Sequence, residues 1–301
     1  MKLTYAYIET TSYCNLKCIF CNREDVIEGL THMSLHDFEH ILTQIKDQPI
    51  AEAKLMGMGE PFMHPQFDVI CKRFKETFPA CNVISATNAQ LKFNSTFKDA
   101  VTNLDVCYIS IDGNKENYER IRLGSKWEKL LNFLEQLKEF KSSVKCQFPI
   151  NYTICPDNVY DIAAMFELKD KYNLDDVRLN FVQNWSEQES DTQLNGFTQE
   201  QIAYLKQYKK YFKGKSEWNY SDCFWPRSGL YLTAHGKMKV CCMNTSAEPI
   251  GSALTQPIRL LRSSKRFNNI KRGCETNLPT QHCDKCSYKE LVPFLKMIHE
   301  D

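Results

Sequence analysis

Six short apolar runs, interleaved with segments of helical periodicity, constrain the fold of this 301-residue chain more than any other feature. Residues 5–10, 53–57, 82–86, 105–111, 144–154 and 176–182 read as strands. Ser34 is placed to cap a helix reaching about Lys46, with Leu35, Phe38, Ile41, Leu42 and Ile45 at helical spacing. Pro65 opens a second helix to about Phe78. Residues 126–141 form the clearest amphipathic helix, with Leu130, Leu131, Phe133, Leu134 and Leu137 on or near one face, and 157–172 form another. Strands that alternate with helices pair in parallel, and the helices cover the sheet. Six such units, short of the eight that close a full barrel, predict an α/β fold: a partial (β/α)6, TIM-like barrel over residues 1–195.

The loop after the first strand carries Cys14, Cys18 and Cys21 in a C-x3-C-x2-C spacing, with Phe20 just before the last cysteine. A [4Fe-4S] cluster normally takes four thiolates. This loop supplies three, which leaves one iron open and implies chemistry rather than structural support. The place is right for it, because β/α barrels carry catalytic groups in loops at the C-terminal ends of their strands. The chain has 14 cysteines, so the spacing also arises by chance and needs its context. With no secretory signal, these thiols point to metal or redox use in a reducing cytoplasm rather than to disulfides. The net charge of +1 gives no field that draws the chain to nucleic acid or membrane. No basic run is interleaved with aromatics, and no stretch approaches the roughly 18 apolar residues of a membrane span. Neither nucleic acid nor membrane is an expected partner.

The chain turns polar from Gln183 to Asn195, and a helix is expected from about Thr198 to Phe212. Residues 196–222 read as a connecting segment and 223–301 as a cysteine-bearing module. Cys223 precedes two alternating runs that meet at His235-Gly236, a hairpin signal, and Cys241 ends the second run. Cys283 and Cys286 follow as C-x2-C. A hairpin flanked in this way can enclose a four-thiolate site. Zinc and an iron–sulfur cluster both suit such a site, and sulfur spacing alone does not separate them. Cys242 and Cys274 are left over. Each can replace a ligand, act as a hydrogen-atom donor, or be an ordinary buried thiol, which is the default. Cys71, Cys81, Cys107, Cys146 and Cys155 fall in core patterns. His36 and His40 stand four apart on the first helix without a third ligand, so they read as surface histidines.

The cysteine loop, coming directly after a first strand, resembles the radical SAM superfamily. The resemblance implies that Cys14, Cys18 and Cys21 hold a [4Fe-4S] cluster whose open iron chelates S-adenosylmethionine (SAM), and that reductive cleavage yields a 5′-deoxyadenosyl radical. Phe20 would lie against the adenine. Gly57-Met58-Gly59-Glu60 after the second strand is similar to the family's Gly-Gly-Glu-Pro-like segment, with Met58 replacing its first glycine. Met58, Gly59 and Glu60 would bind the SAM amino group. Ser110, at the end of the fourth strand, and Arg122, or else Arg120, would contact the SAM carboxylate. Asn88, Asn151 and Asn180 are candidates for ribose or substrate contacts at the barrel mouth.

The C-terminal pattern resembles the family's Twitch module, a shortened SPASM domain, and the expected helix near residues 258–270 fits it. By resemblance, Cys223, Cys241, Cys283 and Cys286 would hold an auxiliary [4Fe-4S] cluster, giving two clusters in all. The expected function is oxidation of a small carbohydrate-like or aminocyclitol substrate, with the auxiliary cluster accepting an electron. An external donor such as flavodoxin or ferredoxin would reduce the first cluster. An epimerase and a peptide maturase are alternatives, although no leader-binding segment precedes the first strand. A non-enzymatic iron–sulfur or zinc protein is the alternative of another class, and the open three-cysteine loop argues against it.

Overall fold

The computed structural model describes residues 2–183, 194–212, 219–244, 247–280, 283 and 286–300. Six parallel strands follow one another across the sheet in sequence order: β1 (Tyr5–Ile8), β2 (Glu52–Lys54), β3 (Asn82–Thr87), β4 (Val106–Ser110), β5 (Ile150–Ile154) and β6 (Val177–Phe181). Helices α1 (Leu35–Ile45), α2 (Phe67–Thr77), α3 (Ser95–Val101), α4 (Lys115–Ile121), α5 (Trp127–Phe140) and α6 (Ile162–Lys171) lie in the connections. This is the partial barrel expected from the alternation. The polar stretch 184–193 lies outside the described residues.

Strand alternation divides the sheet into two faces. In β1, Ala6 and Ile8 are fully buried against the helices, while Tyr5 and Tyr7 face the lumen and are half-exposed. Lys54 in β2, Tyr108 in β4, Asn151 in β5 and Asn180 in β6 share that half-exposed face. The helical side packs one continuous core that includes Phe38, Ile41, Phe67, Phe74, Leu134 and Ile150. Ser34 caps α1 by accepting from the Asp37 N–H at 3.0 Å, as its position suggested.

The fifth strand starts at Ile150, not at residue 144. Residues 141–143 form a 3-10 turn, and Pro149 has no N–H to give the ladder, so only a single bridge at Gln147 precedes it. The helix expected over 157–172 opens as a 3-10 turn at 159–161 and becomes α-helical at Ile162.

After α7 (Gln199–Leu205), the hairpin of β7 (Gly229–Leu232) and β8 (Lys237–Lys239) joins the barrel sheet itself. β7 runs parallel to β1 with Tyr231 opposite Tyr7, and the short β9 (Gly251–Ser252) completes a nine-stranded sheet. Gly236 turns the hairpin at φ +69°, a backbone that favours glycine. The helix expected across 258–270 is broken in two, α8 (Ile258–Ser263) and α9 (Lys265–Glu275), because Ser264 is extended and caps α9 through the Phe267 N–H. The last helix, α10 (Tyr288–His299), has no counterpart in the sequence reading. Pro293 interrupts its polar–apolar rhythm, yet Leu291, Phe294, Leu295 and Ile298 are buried along it.

Candidate functional site

The cysteine loop leaves β1 through four buried polar residues, Glu9, Thr10, Thr11 and Ser12. Ser12 Oγ donates to the Gly29 carbonyl at 2.9 Å and accepts from the Thr31 N–H at 2.8 Å, which closes the loop behind the cysteines. On the other side, Lys17–Cys18 pairs antiparallel with Arg122–Leu123. Cys14 and Cys18 are half-buried and Cys21 is exposed. Burial pushes all three thiols up, Cys18 to about 12, and Cys21 raises both Cys14 and Cys18 further, as expected of neighbouring sulfurs. Thiolates there need a cation, such as cluster iron, to be stable.

Two observations bear on whether the loop fits a cluster with SAM. Arg122 donates to Cys18 Sγ at 3.9 Å, and its buried Nε has no partner among the described residues, a donor left over beside the cysteines. Gly59 touches the loop so closely that a Cβ would stand 2.4 Å from the Thr11 carbonyl oxygen and 2.6 Å from that of Tyr13. Its neighbour Glu60 donates its N–H to the Tyr13 carbonyl at 2.8 Å. The segment after β2 is thus pressed against the backbone of Thr11 and Tyr13, just before Cys14.

The other predicted SAM contacts divide by whether the protein already uses them. Glu60 is buried, its Oε2 accepting from the Asn88 N–H at 2.8 Å, and burial raises it to about 7. The Asn88 amide donates to Asn15 Oδ1 in the cysteine loop at 2.8 Å, and its oxygen accepts from the Gln90 N–H. The Glu60 carboxylate therefore ties the segment after β2 to the end of β3, and the Asn88 amide ties the end of β3 to the loop. Arg122 is held by Asp112 at 2.7 Å. Burial alone would favour its neutral form, but Asp112 and Cys18 outweigh that and keep its pKa raised. Arg120 is paired with Asp157 at 2.8 Å, outside this group. Asn180 donates to Asn151 at 2.8 Å across β5 and β6, and Ser110 stands opposite Asn151. Phe20 packs against the core, and the Met58 N–H donates to Glu9 Oε1 at 3.3 Å.

Five cysteines, not four, line one C-terminal cavity of about 310 Å3: Cys223, Cys241, Cys274, Cys283 and Cys286, with Trp225 and Tyr288 among the apolar walls. Cys274, on α9, lies 3.9 Å from Cys283 by sulfur and hydrogen-bonds Cys223. Among the described residues, no three His, Cys, Asp or Glu side chains stand close enough to hold a single metal ion. The five thiols share the walls of one cavity. Cys242 is not among them. Its thiol senses Lys54 and Glu9 on one side and Cys223 on the other, so it lies between the lumen face and the thiol cavity. The two spare cysteines thus part company: Cys274 lines the thiol cavity and Cys242 does not. Cys71, Cys81, Cys107, Cys146 and Cys155 are buried, as their patterns suggested.

Several lumen residues escaped the sequence reading. Glu9 is buried and raised by that burial, and it accepts from Tyr231 Oη at 2.7 Å, fastening the hairpin to β1. Arg178 on β6 donates to Tyr108 Oη at 2.6 Å. Strand parity alone would have placed Lys54 and Arg178 in the lumen, had polar residues in strands been followed face by face.

Residues 8–168 match the model of the radical SAM superfamily. The antilisterial bacteriocin subtilosin biosynthesis protein AlbA of Bacillus subtilis (strain 168) is 29% identical over 123 residues, 39% of this chain. The match spans about a quarter of that relative's length, 26%. The fold is similar to that of Streptococcus suis SuiB bound to S-adenosylmethionine, with a TM-score of 0.67 at 16% identity over 99% of this chain and 72% of that one. BtrN, solved with AdoMet and 2-DOIA, gives 0.57 at 12% identity over 98% and 93%. Both likenesses run through the hairpin and the C-terminal helices. With more than half its length matching the family model and its three cysteines on the loop after β1, the chain belongs to the radical SAM superfamily.

Proposed function

We propose that the chain is a two-cluster radical SAM oxidoreductase that dehydrogenates a small carbohydrate-like or aminocyclitol substrate in the barrel lumen. Cys14, Cys18 and Cys21 would hold the SAM-binding cluster. Cys223, Cys241, Cys283 and Cys286 would hold an auxiliary [4Fe-4S] cluster, with Cys274 as a fifth thiol beside it. When bound, the first cluster and SAM supply a radical able to take a hydrogen atom from carbon. Arg122 and the backbone of Met58 and Gly59 would orient SAM, while Glu60 and Asn88 hold the loop in place.

The observation that carries this reading is the thinness of the wall between lumen and thiol cavity. Cys241 lines the cavity and the adjacent Cys242 lies between it and the lumen face, while Tyr288 borders the cavity and also the space beside β6. A substrate radical in the lumen would have an electron acceptor one residue away. The reading is tested by anaerobic turnover with sugars and aminocyclitols. One equivalent of 5′-deoxyadenosine per oxidised product supports it, and 5′-deoxyadenosine with an epimerised, unoxidised product overturns it.

A peptide substrate is the second reading. It is favoured by the sequence match to AlbA and by the fold likeness to SuiB, which has been solved with its precursor peptide SuiA. Reduction by flavodoxin or ferredoxin and a cytoplasmic setting go with either reading. Among the described residues no helix is long and apolar enough to cross a membrane.

A further inference from the structure

The lumen carries two cations without a carboxylate partner. Lys54 projects from the C-terminal end of β2 and Arg178 from β6, both on the half-exposed or exposed face. Among the described residues, neither has a carboxylate oxygen within the 4.0 Å of an ion pair. Arg178 makes one side-chain hydrogen bond, to Tyr108 Oη, and lies over the same ring at 5.3 Å. Lys54 makes none. The two charges nevertheless sense one another: Lys54 is pushed down by burial and then by Arg178.

The carboxylates on the same face are displaced along the strands. Glu52 pairs in register with Tyr5 and Asn82, and Lys54 with Tyr7 and Ile84, so Glu52 is one step nearer the N-terminal ends of the strands. Asp176 precedes β6 and accepts from the Val177 N–H, again one step below Arg178. Asp175 is taken by Lys141 at 2.8 Å. Above the cations, Glu9 is occupied by Tyr231 and Met58. A molecule entering from the cysteine loop, at the C-terminal ends, meets Lys54 and Arg178 before it meets a free carboxylate. Around Arg178 a cavity of about 840 Å3 adds Tyr108, Asn180, Lys210 and Tyr288 to its walls, with Asp175 and Asp176 lining its end nearer the start of β6 and Lys54 outside it. Cations left unpaired in a partly buried space are costly unless an anion completes them.

We propose that the substrate bears an anionic group, a carboxylate or a phosphate, and that Lys54 and Arg178 bind it in the lumen, with Tyr108 and the Asn151–Asn180 pair taking neighbouring hydrogen bonds. The inference rests on the reading of the lumen as the substrate chamber. It narrows the substrate from carbohydrate-like in general to an acidic or phosphorylated one.

The test uses the anaerobically reconstituted protein with inorganic phosphate and with malonate as probes, at constant ionic strength. Thermal unfolding is followed for the wild type, Lys54→Gln and Arg178→Gln, and SAM binding is measured in parallel. The wild-type midpoint is expected to rise by on the order of 2 °C with a saturating probe. Both variants should lose that rise and keep SAM affinity within about twofold. The probe with the lower half-saturation identifies a phosphate or a carboxylate. A shift that survives in both variants, or no shift in the wild type, overturns the proposal. If one variant fails to fold, the other decides. Iron content and substrate-free 5′-deoxyadenosine formation separate the two readings. Both intact with no anion effect removes the anion site alone, whereas their loss in the wild type removes the enzyme reading beneath it.

Discussion

Arg122 lies between Asp112 and Cys18, its guanidinium 2.7 Å from the Asp112 carboxylate and 3.9 Å from the Cys18 sulfur. Asp112 is wholly buried and also accepts from the Thr153 N–H at 2.6 Å. A carboxylate just after β4 thus sets the position of a cation against the cysteine loop, at Cys18, while Gly59 contacts the loop at Thr11 and Tyr13. The arginine serves the fold before any ligand arrives.

Replacing Arg122 by Met should therefore do two things. It strands a buried carboxylate, for which about 3–5 kcal/mol of destabilisation is expected. It also removes the donors beside Cys18, so SAM affinity should fall. Adding Asp112→Asn to Arg122→Met should restore part of the stability but none of the SAM affinity. Urea unfolding and equilibrium SAM binding on the two variants separate these effects. Recovery of both together would mean that Arg122 acts only through the fold.

Gly59→Ala places a methyl against two backbone carbonyls that have little freedom to move, since both belong to the loop carrying Cys14. Overpacking of this kind costs about 1–3 kcal/mol. The expected outcome is a folded protein whose N-terminal cluster reconstitutes poorly, read as iron per chain. Gly57→Ala presses instead on the Glu9 side chain. It should disturb the hairpin attachment more than the iron.

Much of this was legible before the structure. The parallel order of strands, the loop after β1 and the C-terminal hairpin follow from periodicity and turn residues, which are local properties. What was not legible depends on the third dimension. The Arg122–Asp112 pair joins residues from a helix end and a strand end. Glu9 meets Tyr231 across 222 residues of sequence. Cys274 looked like a spare because its helix reads as ordinary, and only packing brings its sulfur beside Cys283. The break at Ser264 is carried by one cap, too small a signal against two apolar helices in succession. Helix α10 was hidden by Pro293 in its middle.

Tyr231→Phe removes the hydroxyl that Glu9 accepts from and leaves a buried carboxyl with fewer donors. A loss of about 1–2 kcal/mol is expected, measured by urea unfolding. If the Glu9 contact fastens the hairpin to the barrel, amide exchange in β7 and β8 should speed up in the variant while β3 and β4 stay protected.

Iron and acid-labile sulfide after anaerobic reconstitution test the two thiol sites together. The wild type should hold about eight irons per chain, and Cys14→Ala, Cys18→Ala and Cys21→Ala combined should hold about four. Cys283→Ala should also fall toward four, whereas Cys274→Ala should keep about eight, as a thiol beside the cluster and not one of its ligands. The reverse, with Cys274 needed and Cys241 dispensable, would move the cluster toward α9.

Cys242 separates dehydrogenation from epimerisation, because it is the spare thiol placed toward the lumen. Epimerisation needs a hydrogen atom returned to the substrate carbon, and a thiol that exchanges with solvent would deliver deuterium in heavy water. Oxidation returns none, since a proton and an electron leave instead. Turnover in deuterium oxide should therefore give a product without solvent deuterium at the attacked carbon, and Cys242→Ala should still form it, slowed less than about tenfold. Deuterium in the product, with Cys242→Ala halting after one 5′-deoxyadenosine, would turn the lumen thiol into the donor and the reaction into an epimerisation. The thin wall beside Cys241 would then have no electron to carry, so this one exchange experiment decides what the second thiol site is for.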